Sequence, residues 1–185
     1  MNYLIDTCVL FPTIMRTLLL DAIKLKGDNA FWSEKIFSEW SSSAKKVGEL
    51  GQIQVGSEIA MLRAMWPNSI IDFSFELEEN LYLPDLNDRH VLAAAIAGSC
   101  DAIVTLNKKD FPKHILDQYG VGRVDPDSVL TEYLKDEDTS EIIEIAQRLL
   151  NETNIKLEKD WTMRQLFKKA RLPRTAKALS ILING

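Results

Sequence analysis

Strand-sized apolar runs alternate with stretches of helical periodicity along the first two thirds of the chain, and this alternation constrains the fold more than any other feature. Residues 2–6, 30–32, 69–73, 101–106 and 121–124 are the short apolar runs, with the strongest strand pattern at 101–106. Between the first two, residues 13–26 place Ile14, Leu18, Leu19, Ala22, Ile23 and Leu25 at helical spacing, and Gly27-Asp28-Asn29 breaks the repeat. Ser33 stands where a helix from Glu34 to about Val47 needs its cap, and a further helix is predicted over 53–65, closed by Pro67. The polar turn 84–88 opens an alanine-rich helix over 90–98, and 111–119 is a short helix. Strands alternating with helices predict a central parallel sheet with helices on both faces, a three-layer α/β/α arrangement.

After Pro126 the pattern turns to helices only, over 128–135, 140–151 and 163–170, with a last one starting near Pro173, a residue suited to a first helical turn. Asp136-Glu137-Asp138 reads as a hinge. The expected division is an α/β body over 1–126 and a helical C-terminal extension over 127–185. The length of 185 residues suits one domain with a small appendage, and 46% hydrophobic against 26% charged residues implies a packed core and excludes extended disorder. No apolar run approaches the roughly 18 residues of a membrane span. The start, MNYLIDTCVLF, has no basic leader, so the expected location is cytoplasmic. Cys8 and Cys100 are too few for a disulfide framework and read as small core residues in a reducing compartment.

The net charge of −5 is unevenly spread. Residues 152–185 hold eight basic side chains (Lys156, Lys159, Arg164, Lys168, Lys169, Arg171, Arg174, Lys177) against Glu152, Glu158 and Asp160, which leaves the first 151 residues at −10. An acidic body with a basic tail fits a metal-dependent nuclease, whose carboxylates need cations before a polyanion can approach. It fits equally an acidic domain with a solvated helical tail.

The positions of the acids say more than their number. Asp6 ends the first strand, Asp88 opens the alanine-rich helix, and Asn107 and Asp110 follow the strongest strand. Open parallel sheets bind ligands outside the carboxyl ends of their strands. Carboxylates converging there repel one another unless a hard cation intervenes, and oxygen ligands suit Mg²⁺ or Mn²⁺. Taken singly, Asp6 also suits a turn, Asp88 a helix start and Asp110 a cap.

The stretch PDLNDRHVLAAAIAGSCDAIVTLNKKDFP, residues 84–112, resembles the signature of bacterial PIN domains, the family that includes VapC-type toxins. LIDTCVL resembles that family's first strand, and EKIFSEWSS its second helix, which contributes a glutamate. The resemblance covers roughly residues 3–125. It implies a metal-dependent endoribonuclease, the toxin of a toxin–antitoxin pair, leaving a 5′-phosphate and a 3′-hydroxyl. It implies Asp6, Glu39, Asp88 and Asp110 as catalytic acids and metal ligands, with Glu34 as a competitor to Glu39 in the same helix. Asn107 joins the ligand set where many relatives carry Asp, and it offers a carbonyl oxygen without a charge. Thr7, Thr105, Arg89 and His90 are substrate-side candidates, and Asp85 reads mainly as a turn residue. RNA, an antitoxin protein and a second copy of the chain are the expected partners, and a membrane is not. One alternative is a PIN fold that kept binding and lost activity, with Asn107 as its mark. Another, an aspartyl-phosphate phosphatase, needs an acid two residues after the nucleophile, where this chain has Cys8.

Overall fold

A computed structural model describes residues 1–46 and 48–184. Four strands form one sheet in the order β2-β1-β3-β4: β1 (Asn2–Ile5), β2 (Asn29–Phe31), β3 (Ala102–Val104) and β4 (Gly122–Val124). The central strand β1 runs parallel to both neighbours, with Tyr3 opposite Ala30 on one side and Ala102 on the other. Leu4, Ile5, Ile103 and Val104 have no exposed surface, as strands covered on both faces require. The fold class is therefore the expected α/β with a central parallel sheet and helical layers, followed by an all-helical C-terminal part.

The helices are α1 (Thr7–Leu10), α2 (Thr13–Leu25), α3 (Glu34–Lys45), α4 (Glu49–Met65), α5 (Phe75–Glu79), α6 (Arg89–Ala97), α7 (Lys113–Leu116), α8 (Pro126–Tyr133), α9 (Ser140–Leu157), α10 (Met163–Lys169) and α11 (Pro173–Asn184). Ser33 caps α3 as expected, its hydroxyl accepting from the Ile36 N–H at 3.3 Å. Val47, the expected end of that helix, lies outside the described residues. Helix α4 starts four residues earlier than its periodicity indicated. The strand expected over 69–73 is reduced to a single bridge between Trp32 and Ile70, because only Ile70 and its neighbours meet the chain leaving β2. The short helices α1 and α5 were not legible: each is little more than one turn, too short to show a 3.6-residue repeat.

The described chain forms two compact units. One comprises Met1–Phe11 and Asn29–Arg123 and holds the sheet. The other comprises Pro12–Asp28 and Val124–Gly185, so that α2 groups with the C-terminal helices, packing against α8 and α9. Within this second unit the buried Asp127 carboxylate accepts from the Arg174 and Thr175 N–H groups at 3.0 and 2.9 Å and from the Thr175 hydroxyl at 2.7 Å, tying the start of α11 to α8. No helix is long and apolar enough among the described residues to cross a membrane.

Candidate metal centre

Parallel pairing brings the carboxyl ends of β1 and β3 side by side, and the Asp6 N–H still bonds the Val104 carbonyl at 3.1 Å. The chain turns directly from Asp6 into α1. Asp6 holds the cap position there, but its side chain makes no capping bond. The buried carboxylate instead accepts from the Thr105 hydroxyl at 2.6 Å and the Cys8 thiol at 3.0 Å. Thr105 is fully buried and also accepts from the Asn107 N–H at 2.9 Å, so it orients the strand end and presents no surface to a substrate. Cys8 was expected to be a core residue; it is half-buried, and the Leu106 N–H points to its sulfur at 3.2 Å. Burial and the adjacent Asp6 charge push its thiol up to about 12, so it stays a neutral donor.

Helix α3 carries Glu39 into the same region. One carboxylate oxygen meets His90 Nε2 at 2.8 Å, and the other accepts from the Thr7 hydroxyl at 2.8 Å. His90 has no exposed surface, and its Nδ1 has no hydrogen-bond partner among the described residues. An unpaired lone pair is cheaper to bury than an unpaired N–H, so we assign the tautomer in which Nε2 donates to Glu39. Burial pushes the Glu39 carboxyl up, but the hydrogen bonds from His90 and Thr7 outweigh it and leave the group below the usual glutamate range. Glu34, the competitor, is occupied elsewhere in a bidentate pair with Arg63 at 2.6 Å.

Asp88 closes a 3-10 turn (Leu86–Asp88) and stands at the cap position of α6, again without a side-chain cap bond. Its carboxylate meets Asn107 Nδ2 at 3.3 Å, and the same amide nitrogen donates to Asp110. Asp110 is not the cap of α7, which Pro112 precedes; the buried Phe111 beside it and the Arg123 guanidinium, bonded to the Lys108 and Phe111 carbonyls at 2.6 and 2.7 Å, hold its loop. Arg123 gave no sequence signal, because its partners are backbone atoms. Asp85, read as a turn residue, does serve the turn through bonds from Asn87. It also has a carboxylate oxygen within 4.8 Å of those of Asp88 and Asp110. Its D-x-x-D spacing to Asp88 was the available signal. Arg89 bonds the Leu86 and Glu79 carbonyls at 3.3 and 3.1 Å.

Asp88 feels the whole group. Burial, then the charges of Asp6, Asp85, Asp110 and Glu39, push its carboxyl up to about 6. The donors to these acids are mostly neutral: a threonine, a thiol and an amide. Hard oxygen ligands with uncompensated negative charge fit Mg²⁺ or Mn²⁺ and not a soft metal.

The PIN domain model matches residues 2–109, more than half of the chain. The chain belongs to the PIN domain family. The match takes in Asp6, Glu39, Asp88 and Asn107, and Asp110 lies one residue beyond it. No curated protein matches this PIN domain. Among solved structures it is similar to VapBC2 from Rickettsia felis, solved bound to a DNA fragment from their promoter, with 21% identity over 68% of this chain and 98% of that one and a TM-score of 0.46.

Proposed function

We propose that this PIN domain is a metal-dependent endoribonuclease that hydrolyses RNA phosphodiester bonds. In this reading Asp6, Glu39, Asp88 and Asp110 are the catalytic acids that hold Mg²⁺ or Mn²⁺, and Asn107 stands at the edge of the ligand set. The carrying observation is that Asp85, Asp88 and Asp110 bring carboxylate oxygens within 4.8 Å of one another, with the charges of Asp6 and Glu39 also acting on Asp88. A divalent cation there would supply Lewis-acid activation for phosphodiester hydrolysis. Thr105 and Cys8 set the Asp6 carboxylate, Thr7 and His90 set Glu39, and the Asn107 amide spans Asp88 and Asp110. Thr7, half-buried at the rim, and Arg89 are the remaining candidates for substrate contact.

The basic side chains of 152–185 are all exposed, which supports their use in binding phosphate groups. The resemblance of residues 84–112 to VapC-type proteins supports a toxin role in the cytoplasm, with an antitoxin protein as partner. Incubating the purified protein with a panel of RNAs, with Mg²⁺, Mn²⁺ or chelator, tests the activity. Cleavage abolished by chelator, with 5′-phosphate and 3′-hydroxyl ends, is the expected result. A second reading, a weakened module that binds RNA or protein without cutting, is favoured by Asn107, whose amide contributes a donor in place of a charge. Metal-independent binding with no cleavage of any RNA would select it.

A further inference from the structure

The loop between α9 and α10, within the C-terminal unit, carries features that the metal centre does not use. Glu158, with φ of 51°, ends α9 in the left-handed region and turns the chain toward Trp161. Asn154, near the end of α9, pins the Trp161 backbone: its side-chain carbonyl accepts the Trp161 N–H at 2.9 Å, and its amide donates to the Trp161 carbonyl at 3.0 Å. The half-exposed indole borders two recesses. One, of about 280 Å³, has Ile14, Leu157 and Leu166 in its wall and holds Lys169, whose Nζ lies 4.9 Å from the ring centroid. The other, of about 360 Å³, is polar and lined by Lys159, Asp160, Trp161 and Gln165. The Asp160 carboxylate makes no hydrogen bond or ion pair among the described residues. Gln165 Oε1 accepts from the Thr162 N–H at 2.9 Å and the Thr162 hydroxyl at 3.1 Å, which commits the oxygen and leaves Nε2 as the available donor.

We propose that the polar recess beside Trp161 binds an unpaired guanine base of the RNA. Three features select that occupant. A half-exposed indole on a fixed backbone is a stacking platform for a splayed-out base, and a base paired within a duplex cannot reach it. The Asp160 carboxylate accepts two parallel hydrogen bonds, and among the four RNA bases only guanine offers two adjacent donors on its Watson–Crick edge, N1–H and the 2-amino group. The O6 acceptor beside those donors suits the Lys159 ammonium or the Gln165 amide. The third feature is charge: Lys156, Arg164 and Lys168 are exposed in the same basic segment, so a polyanionic strand is drawn to this unit. Phosphate contacts then supply affinity, and the recess supplies a base preference that phosphate contacts cannot. The inference deepens the RNA reading of the proposed function and rests on it, but not on cleavage or on metal.

Fluorescence anisotropy of labelled octauridine, and of the same strand with one central base changed, tests it with the full chain in chelator at low salt. The guanine strand should bind about ten-fold more tightly than octauridine, and the adenine and cytosine strands no more tightly than it. Inosine, which lacks the 2-amino group, should fall between. Asp160→Asn, at an exposed side chain, should erase the guanine preference while octauridine binds no more weakly. Trp161→Ala should weaken the guanine strand by about ten-fold, and Trp161→Phe, which keeps a stacking ring, should restore most of the loss. Far-UV circular dichroism checks that each variant folds. Equal affinity for every strand, or a guanine preference indifferent to Asp160→Asn, overturns the proposal and leaves the RNA reading standing. Binding of no strand overturns both. Displacement of the guanine strand by an equal concentration of GMP makes the recess a free-nucleotide site and also overturns the proposal.

Discussion

Asp6 and Asn107 differ by one charge, and that difference makes them the informative pair among the site residues. Asp6→Asn keeps the shape and removes a charged oxygen; cleavage should fall by at least about two orders of magnitude, a loss of several kcal/mol of transition-state stabilisation. The metal-free fold should hold, because one member of a repelling cluster is gone. A variant cutting RNA at the wild-type rate would remove the metal-nuclease reading. Asn107→Asp does the reverse: it replaces the amide donor between Asp88 and Asp110 with a further charge. Melting temperature should drop without metal and recover more steeply with Mn²⁺ than in the wild type. Asp88 supplies the pH signature. Its pKa, raised to about 6, exceeds the value in the unfolded chain, so folding favours its protonated form. The penalty is fully present above pH 6 and is relieved as the pH falls through that value, so the melting temperature in chelator should rise between about pH 7 and pH 5. Glu39 works in the opposite sense, but its lowered pKa confines its loss to pH below the usual glutamate range. Asp88→Asn should abolish the rise; a variant that keeps it would show that another group titrates.

Elements place these residues through their ends. Asp6 follows β1, Asn107 follows β3 and Asp88 stands before α6, so strand and helix termini, not helix faces, carry most of the cluster. Glu39 is the exception, and its position depends on where α3 begins. Ser33, 1% exposed, accepts the Ile36 N–H and sets that start. Ser33→Ala should cost about 1 kcal/mol of stability by thermal or urea denaturation. An unchanged unfolding midpoint would show that the buried Trp32 and Ile36 anchor α3 without the cap.

At the scale of the whole molecule, charge and folding divide the chain differently. We propose the division of roles at residue 126, with the nuclease body before it and the helical extension after. Folding follows a different grouping, since α2 packs against α8 and α9. Its Leu18, Leu19 and Ile23 are buried, and a chain ending at residue 126 lacks the cover those helices provide. Truncation is thus a poor test of RNA binding by the extension; removing 152–185 would also uncover Asp127. Replacing the exposed Lys156, Lys159, Arg164 and Lys168 by Gln leaves the packing intact. RNA affinity should fall, and the slope of log K against log salt should flatten by about 0.7 for each phosphate no longer neutralised. An unchanged slope would assign those side chains to solvation alone.

The amino-acid sequence by itself determined the α/β class, the parallel order implied by alternation, the switch to helices near Pro126 and the strand-end acids, because each is a local pattern a few residues long. Asp6, Asp88, Asn107 and Asp110 were legible as candidates for the same reason, and Glu39 only through the resemblance of its helix to that of PIN domains. Only the tertiary structure decided what holds them. Thr105 reaches Asp6 across 99 positions in the chain and His90 reaches Glu39 across 51, and no local repeat encodes such pairings. It also turned Cys8 from a core thiol into a donor to Asp6, gave Asp85 a place beside Asp88, and reduced 69–73 to one bridge. Periodicity reports which face of an element is apolar. Which distant side chain completes a hydrogen bond depends on how close packing brings the elements together, and that is a property of the folded chain.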